Sequence, residues 1–168
     1  MPLHALQLLA DSGQEVHLIT NAPTEDRPDL PGILPENIAV HYVDDGRKRT
    51  KVVDGVGGKG KGFKIGSLLK QMKQIKSIVN DNDLDIFHAY GYGRTATFAA
   101  LLGYYGLKVP KVATLYGLPP LNFQESIIRR FWKSISLVSS TQYTADLCSE
   151  SNLQARVVHS GPVRDLIK

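Results

Sequence analysis

Several side chains of kinds that handle hydroxyl-bearing ligands fall close together in the sequence. His88, Tyr90 and Tyr92 lie within one alternating stretch, and Tyr116 ends a later apolar run. Imidazole changes charge near neutral pH, so His88 can accept a hydrogen bond from a hydroxyl or take its proton. Tyrosine joins an apolar ring to a polar tip, which suits a sugar face and the hydroxyls around it. Five of the seven tyrosines lie between residues 90 and 116, of which Tyr104 and Tyr105 fit core packing better. Arg94 follows Tyr-Gly-Tyr-Gly where a helix is about to start, so a phosphate there would meet both a guanidinium and free backbone amides. The plain alternatives are a histidine held by backbone groups at a strand end and a solvated surface arginine.

Other motifs lead less far. His4, His17, His41 and His159 show no mutual metal-site spacing, and Cys148 has no partner thiol, so these histidines read as structural and neither a metal nor another cofactor is expected. Gly55-Val56-Gly57-Gly58-Lys59-Gly60-Lys61 has phosphate-loop spacing, but Gly62 stands where a serine or threonine must bind magnesium. A phosphate-loop nucleotide-binding protein is therefore the last-ranked alternative. Ser160-Gly161 lacks the flanking glycines of a nucleophile elbow.

The elements that must position these residues alternate. Leu3, Leu6, Leu9 and Ala10 recur at helical steps before Asp11-Ser12-Gly13 stops them, and Glu15–Thr20 and Ile38–Val43 read as strands. From Phe63, a stripe of Ile65, Leu68, Leu69, Met72, Ile75, Ile78 and Val79 marks an amphipathic helix. Asp85–Ala89 is a buried strand, Arg94–Tyr105 a nearly all-apolar helix, Val109–Leu115 a strand and Gln124–Lys133 a helix. Ile135–Ser139 is a strand leading to a helix capped by Ser139, Ser140 or Thr141, and Arg156–His159 is the last strand. Short strands separated by helices require crossovers, hence a mostly parallel sheet with helices on both faces. The expectation is one α/β domain over residues 1–168, three-layered and Rossmann-like. It opens on a helix where such a domain normally opens on a strand, so the first strand is expected to be missing.

Length and charge narrow the classes. The chain has 168 residues, 42% of them hydrophobic, enough for one buried core. Its net charge of +4 is local: residues 47–64 hold seven basic residues against the single acid Asp54, a net +6. The glycine-lysine segment 45–63 is expected to be a mobile basic loop, able to meet phosphate groups on a substrate or at the inner membrane face, or simply to keep the surface solvated. No apolar run reaches the roughly 20 residues of a membrane helix, and one cysteine fits a reducing, cytoplasmic setting.

The chain resembles a known family through five blocks in order. His4 through Leu8-Leu9-Ala10-Asp11-Ser12-Gly13-Gln14-Glu15-Val16-His17-Leu18-Ile19-Thr20 resembles the helix and strand after the glycine-rich loop of retaining GT-B glycosyltransferases of the subfamily-four type. Asp85-Ile86-Phe87-His88-Ala89-Tyr90-Gly91 is similar to that family's strand beside the acceptor site, and Val112-Ala113-Thr114-Leu115-Tyr116-Gly117 to the strand after it. Ser136-Leu137-Val138-Ser139-Ser140-Thr141 and Arg156-Val157-Val158-His159-Ser160-Gly161-Pro162-Val163 resemble the strand entering a capped helix and the strand leading to the interdomain linker. The blocks span nearly the whole chain, each being mostly a buried strand ending in small polar residues.

The resemblance implies the acceptor-side domain of an enzyme moving a hexosyl group from a nucleotide sugar to a glycan, lipid or polyol hydroxyl. The donor would be held by a missing domain, whether the chain is a fragment, one half of a split enzyme completed by a separate polypeptide or a degenerate relative, and the chain alone would be inactive. His88, Tyr90, Tyr92, Arg94 and Tyr116 would bind substrate, with no metal, no cofactor and no nucleic acid. Many relatives carry a histidine where this chain has Tyr116, and a phenol, titrating near pH 10, cannot replace its acid-base work at neutral pH. A non-catalytic carbohydrate- or partner-binding module is the alternative, and a sugar epimerase on the same fold stays open.

Overall fold

The computed structural model describes residues 3–21, 34, 36–43, 65–118 and 123–158, without the side chains of residues 3, 4, 65, 94 and 123–125. The basic segment 45–63 lies outside the described residues. The chain divides into two compact units, Met1–Asn82 and Asp83–Lys168. Each contains a parallel sheet flanked by helices, so the α/β, Rossmann-like class expected from the sequence is the one observed.

The first unit holds α1 (Leu3–Asp11), β1 (Val16–Asn21), β2 (Ile38–Val43) and α2 (Ile65–Asp81). Helix α1 ends where Ser12 Oγ donates to the Leu9 carbonyl and Gly13 adopts φ +83°, a conformation that costs glycine little. β1 and β2 pair in parallel from Val16 with Ile38 to Asn21 with Val43. Alternation gives each strand two faces: Val16, Leu18, Ile38 and Val40 pack with Leu6 and Ala10 of α1 and with Leu34, while His17, Ile19, Ala39 and His41 fall on the other face. In α2, Met72, Ile75 and Val79 of the expected stripe are buried, whereas Leu69 is exposed.

The second unit runs β3 (Phe87–Gly91), α3 (Gly93–Tyr104), β4 (Lys111–Leu115), α4 (Phe123–Arg130), a 3-10 turn (Phe131–Ser134), β5 (Ser136–Ser139), α5 (Gln142–Ser149) and β6 (Ala155–Val157). The strands stand in chain order, β3-β4-β5-β6, all parallel. Right-handed crossovers that step in one direction put every connecting helix on the same face. The core agrees: Ala89, Ala113, Leu115 and Leu137 of the strands cluster with Ala96, Ala99 and Ala100 of α3, Trp132 of the 3-10 turn and Cys148 of α5. Trp132 Nε1 donates to Thr97 Oγ1 at 3.0 Å, so the buried indole leaves no unmet N–H. The buried Arg129 guanidinium donates to the Leu147 carbonyl and to Ser151 Oγ, tying α4 to α5.

The departures from expectation are at element ends. β4 begins at Lys111 and not Val109, because Pro110 has no N–H to give a ladder; its carbonyl instead accepts from Phe87 N–H at 3.0 Å. β3 starts at Phe87, the α4 helix tightens to 3-10 over its last turn, and β6 ends at Val157. Of the three expected caps, Thr141 serves: its side chain accepts from the Thr144 N–H.

Candidate functional site

Strand alternation decides which side chains reach the second face of the four-stranded sheet. Phe87, Ala89, Ala113, Leu115 and Leu137 point toward the helices, so His88, Tyr90, Val112, Thr114 and Val138 point the other way. The register sets Tyr90 opposite Thr114 and His88 opposite Val112. His88 therefore reaches one step along its neighbour, where its Nε2 lies 2.8 Å from Thr114 Oγ1. Its ring also lies against Tyr90, with centroids 4.0 Å apart and planes tilted by 30°.

The backbone beyond the strands carries the remaining aromatic groups to the same carboxyl end. Tyr116 N–H donates to the Gly91 carbonyl at 3.0 Å, joining the exits of β3 and β4. Tyr92 is the N-cap residue of α3, and its ring lies over Gly117, where a Cβ would meet ring atoms at 3.3 Å. Tyr92 is 69% exposed and Tyr116 40% exposed, so both rings present surface to solvent. Ser140 stands beside them, with its N–H and hydroxyl directed at the Leu115 carbonyl. Open α/β sheets take ligands at the carboxyl ends of their strands, and Tyr90, Tyr92 and Tyr116 lie there; His88, expected at the strand end, is instead the second of the five residues of β3, and its ring leans from that position against Tyr90 and Thr114.

Its electrostatics favour uncharged hydrogen bonding. His88 is exposed to solvent, yet desolvation of its ring holds its imidazole below the ordinary histidine value, which favours the neutral form. Burial pushes the Tyr90 phenol above its usual value, and the nearby Tyr116 phenol adds to this. The two hydroxyls therefore sense one another, and Tyr90 stays protonated through the physiological range. A neutral imidazole, a threonine hydroxyl and a phenol that remains a donor make a strip able to exchange hydrogen bonds with a polyol while a ring offers it an apolar face.

Tyr90, Tyr92 and Tyr116 are thus gathered at one end of one sheet, and His88 meets them through its ring contact with Tyr90. The Arg94 backbone lies in the first turn of α3, but its side chain lies outside the described residues. Thr114 is the contact that sequence reasoning did not single out. Its meeting with His88 and Tyr90 comes from the pairing of β3 with β4, which no local pattern shows. Among the described residues no group of three or more His, Cys, Asp or Glu side chains is placed to hold a metal ion, and no helix is long and apolar enough to cross a membrane. No protein-family model matches the chain, and no curated protein matches it.

Proposed function

We propose that the chain is the acceptor-binding part of a glycosyltransferase, moving a hexosyl group from a nucleotide sugar onto a hydroxyl of a glycan, lipid or polyol. The observation that carries this reading is the contact of His88 with Thr114 and Tyr90 on one face of a parallel sheet, with Tyr116 at the carboxyl end beside them. A neutral His88 accepts a hydrogen bond from the attacking hydroxyl, Tyr90 and Tyr116 donate to neighbouring hydroxyls, and the exposed rings cover an apolar sugar face. The nucleotide sugar is held elsewhere than on these side chains, by a donor domain or a separate donor-domain polypeptide. The positive charge of Arg94 and of the basic segment 45–63 attracts phosphorylated or membrane-borne acceptors.

The presence of Tyr116 where relatives of this type carry histidine favours a second reading, a carbohydrate-binding module without transfer. One experiment separates them. Saturation-transfer NMR of the chain with a panel of saccharides and polyols should detect binding that His88→Ala and Tyr90→Phe each weaken about tenfold, the loss of one good hydrogen bond. Addition of a donor-domain polypeptide and nucleotide hexose should then yield product. Binding without product supports the module, and absence of binding to the unaltered chain removes both readings.

A further inference from the structure

In the first unit, outside the rim, Glu15, His17 and His41 form a row of hydrogen bonds that crosses from one strand to the next. Glu15 Oε1 lies 2.8 Å from His17 Nε2, and His17 Nδ1 lies 2.8 Å from His41 Nε2. The two imidazole planes are 14° from parallel with centroids 5.0 Å apart. The contact and the two ring radii together account for nearly all of that separation, so the bond between the rings runs straight from edge to edge. The register produces the meeting: His17 pairs with Ala39, and His41 is two residues further along the same face of β2. The residues are 24 apart in sequence, which is why spacing alone left both as structural.

The row has a direction. A carboxylate accepts hydrogen bonds, so the His17 proton sits on Nε2, its Nδ1 is an acceptor, and His41 Nε2–H donates to it. The line between the rings holds one proton. An added proton enters at His41 Nδ1, the nitrogen outside the row. The pair then shares one positive charge, its bond becomes charge-assisted, and Glu15 supplies the counter-charge. A second added proton sets His17 Nδ1–H against His41 Nε2–H, donor facing donor and cation facing cation, with the His17 side chain only 5% exposed.

We propose that Glu15, His17 and His41 form an acid-operated latch between β1 and β2, closed with no added proton or with one and forced open by a second. The surrounding elements do not offset that second charge. Helix α1 packs on the opposite face of the strands. From α2, Gln74 and Ser77 line a cleft of about 430 Å³ with His41 and Tyr42, and the Asp81 carboxylate is engaged by Ser77 Oγ at 2.7 Å. Lys70, Lys73 and Lys76 of α2 do not line it. Among the described residues, Glu15 is the carboxylate in contact with the pair. The cleft gives His41 its access to water and so to protons. Burial, with the adjacent His17, holds the His41 imidazole below its ordinary value. A depressed folded value favours the closed latch above the ordinary 6.5 and withdraws that stability as pH falls below it.

Imidazole nitrogen NMR and amide exchange of the isotope-labelled full chain test this. At pH 8 His17 should appear as the Nε2–H tautomer, with a nitrogen–nitrogen coupling to His41 through the hydrogen bond. Below about pH 6.5 the protection factors of the β1 and β2 amides should fall about tenfold per pH unit, as one net proton is taken up on opening. His41→Gln keeps a side chain that can donate or accept but cannot titrate, so this slope should vanish, with circular dichroism at pH 8 unchanged. Glu15→Gln removes the counter-charge at a position 76% exposed and should move opening to higher pH. Absence of the coupling at pH 8, an undiminished slope in His41→Gln, or opening at an unchanged pH in Glu15→Gln overturns the proposal.

Discussion

At the scale of single residues, partial desolvation favours the neutral forms of His41 and His88. Folded-state values of His41 and His88 lie below the ordinary histidine value of 6.5. Above that pH the imidazoles are uncharged in both folded and unfolded chains. As pH falls through about 6.5 the unfolded chain takes up protons first, so stability declines from there until the folded values are passed. Urea unfolding between pH 8 and pH 5 should show the midpoint falling below pH 6.5, and His41→Gln should flatten part of that slope. A midpoint that rises on acidification contradicts the assignment. At this scale the sequence was legible for residue types and opaque for partners. His88, Tyr90 and Tyr116 were chosen from strand-end position. The contacts of His88 with Thr114, and of His17 with His41, depend on cross-strand register, which no local pattern encodes.

Elements were more legible than contacts. The α2 stripe and the short β-branched runs of β1 and β2 placed their elements to within a residue or two, because burial and strand packing select residue types that show in the sequence itself. The misplaced ends of β3, β4 and β6 are where that period gives no signal: a proline, a turn, or a run continuing past the last ladder bond. The β3–α3 junction carries a constraint of its own. Gly91 has φ +152°, and a Cβ there would run into Thr95 Oγ1 in the first turn of α3. Gly91→Ala should therefore cost about 1–3 kcal/mol. Gly103→Ala, within α3, meets only the flexible end of Lys111 and should be near neutral. Chemical denaturation of the two variants side by side checks this; equal losses would mean that the turn relaxes freely.

For the whole molecule, the parallel α/β class was legible from strand-helix alternation, since parallel strands require crossovers. That all three crossovers of the second unit lie on one face was not, because strand order is not written in any one segment. Charge acts at this scale too. With a net +6 in residues 47–64, cosedimentation with vesicles containing anionic lipid should fall steeply between low and physiological salt, and replacing Lys59, Lys61 and Lys64 by Gln, which halves that charge, should weaken it strongly. Salt-independent sedimentation would rule out steering by this segment. One further feature bears on how the second unit can vary. The contact between α3 and its sheet is built of methyl groups, Ala89, Ala96, Ala99, Ala100 and Ala113, so helix axis and strands approach closely. The height at which Tyr92 and Gly93 leave the sheet is thus governed from beneath by residue volume. Any enlargement of those methyls lifts the helix start and carries the tyrosine rim with it, so divergence that retunes the rim can arise from positions no ligand ever touches.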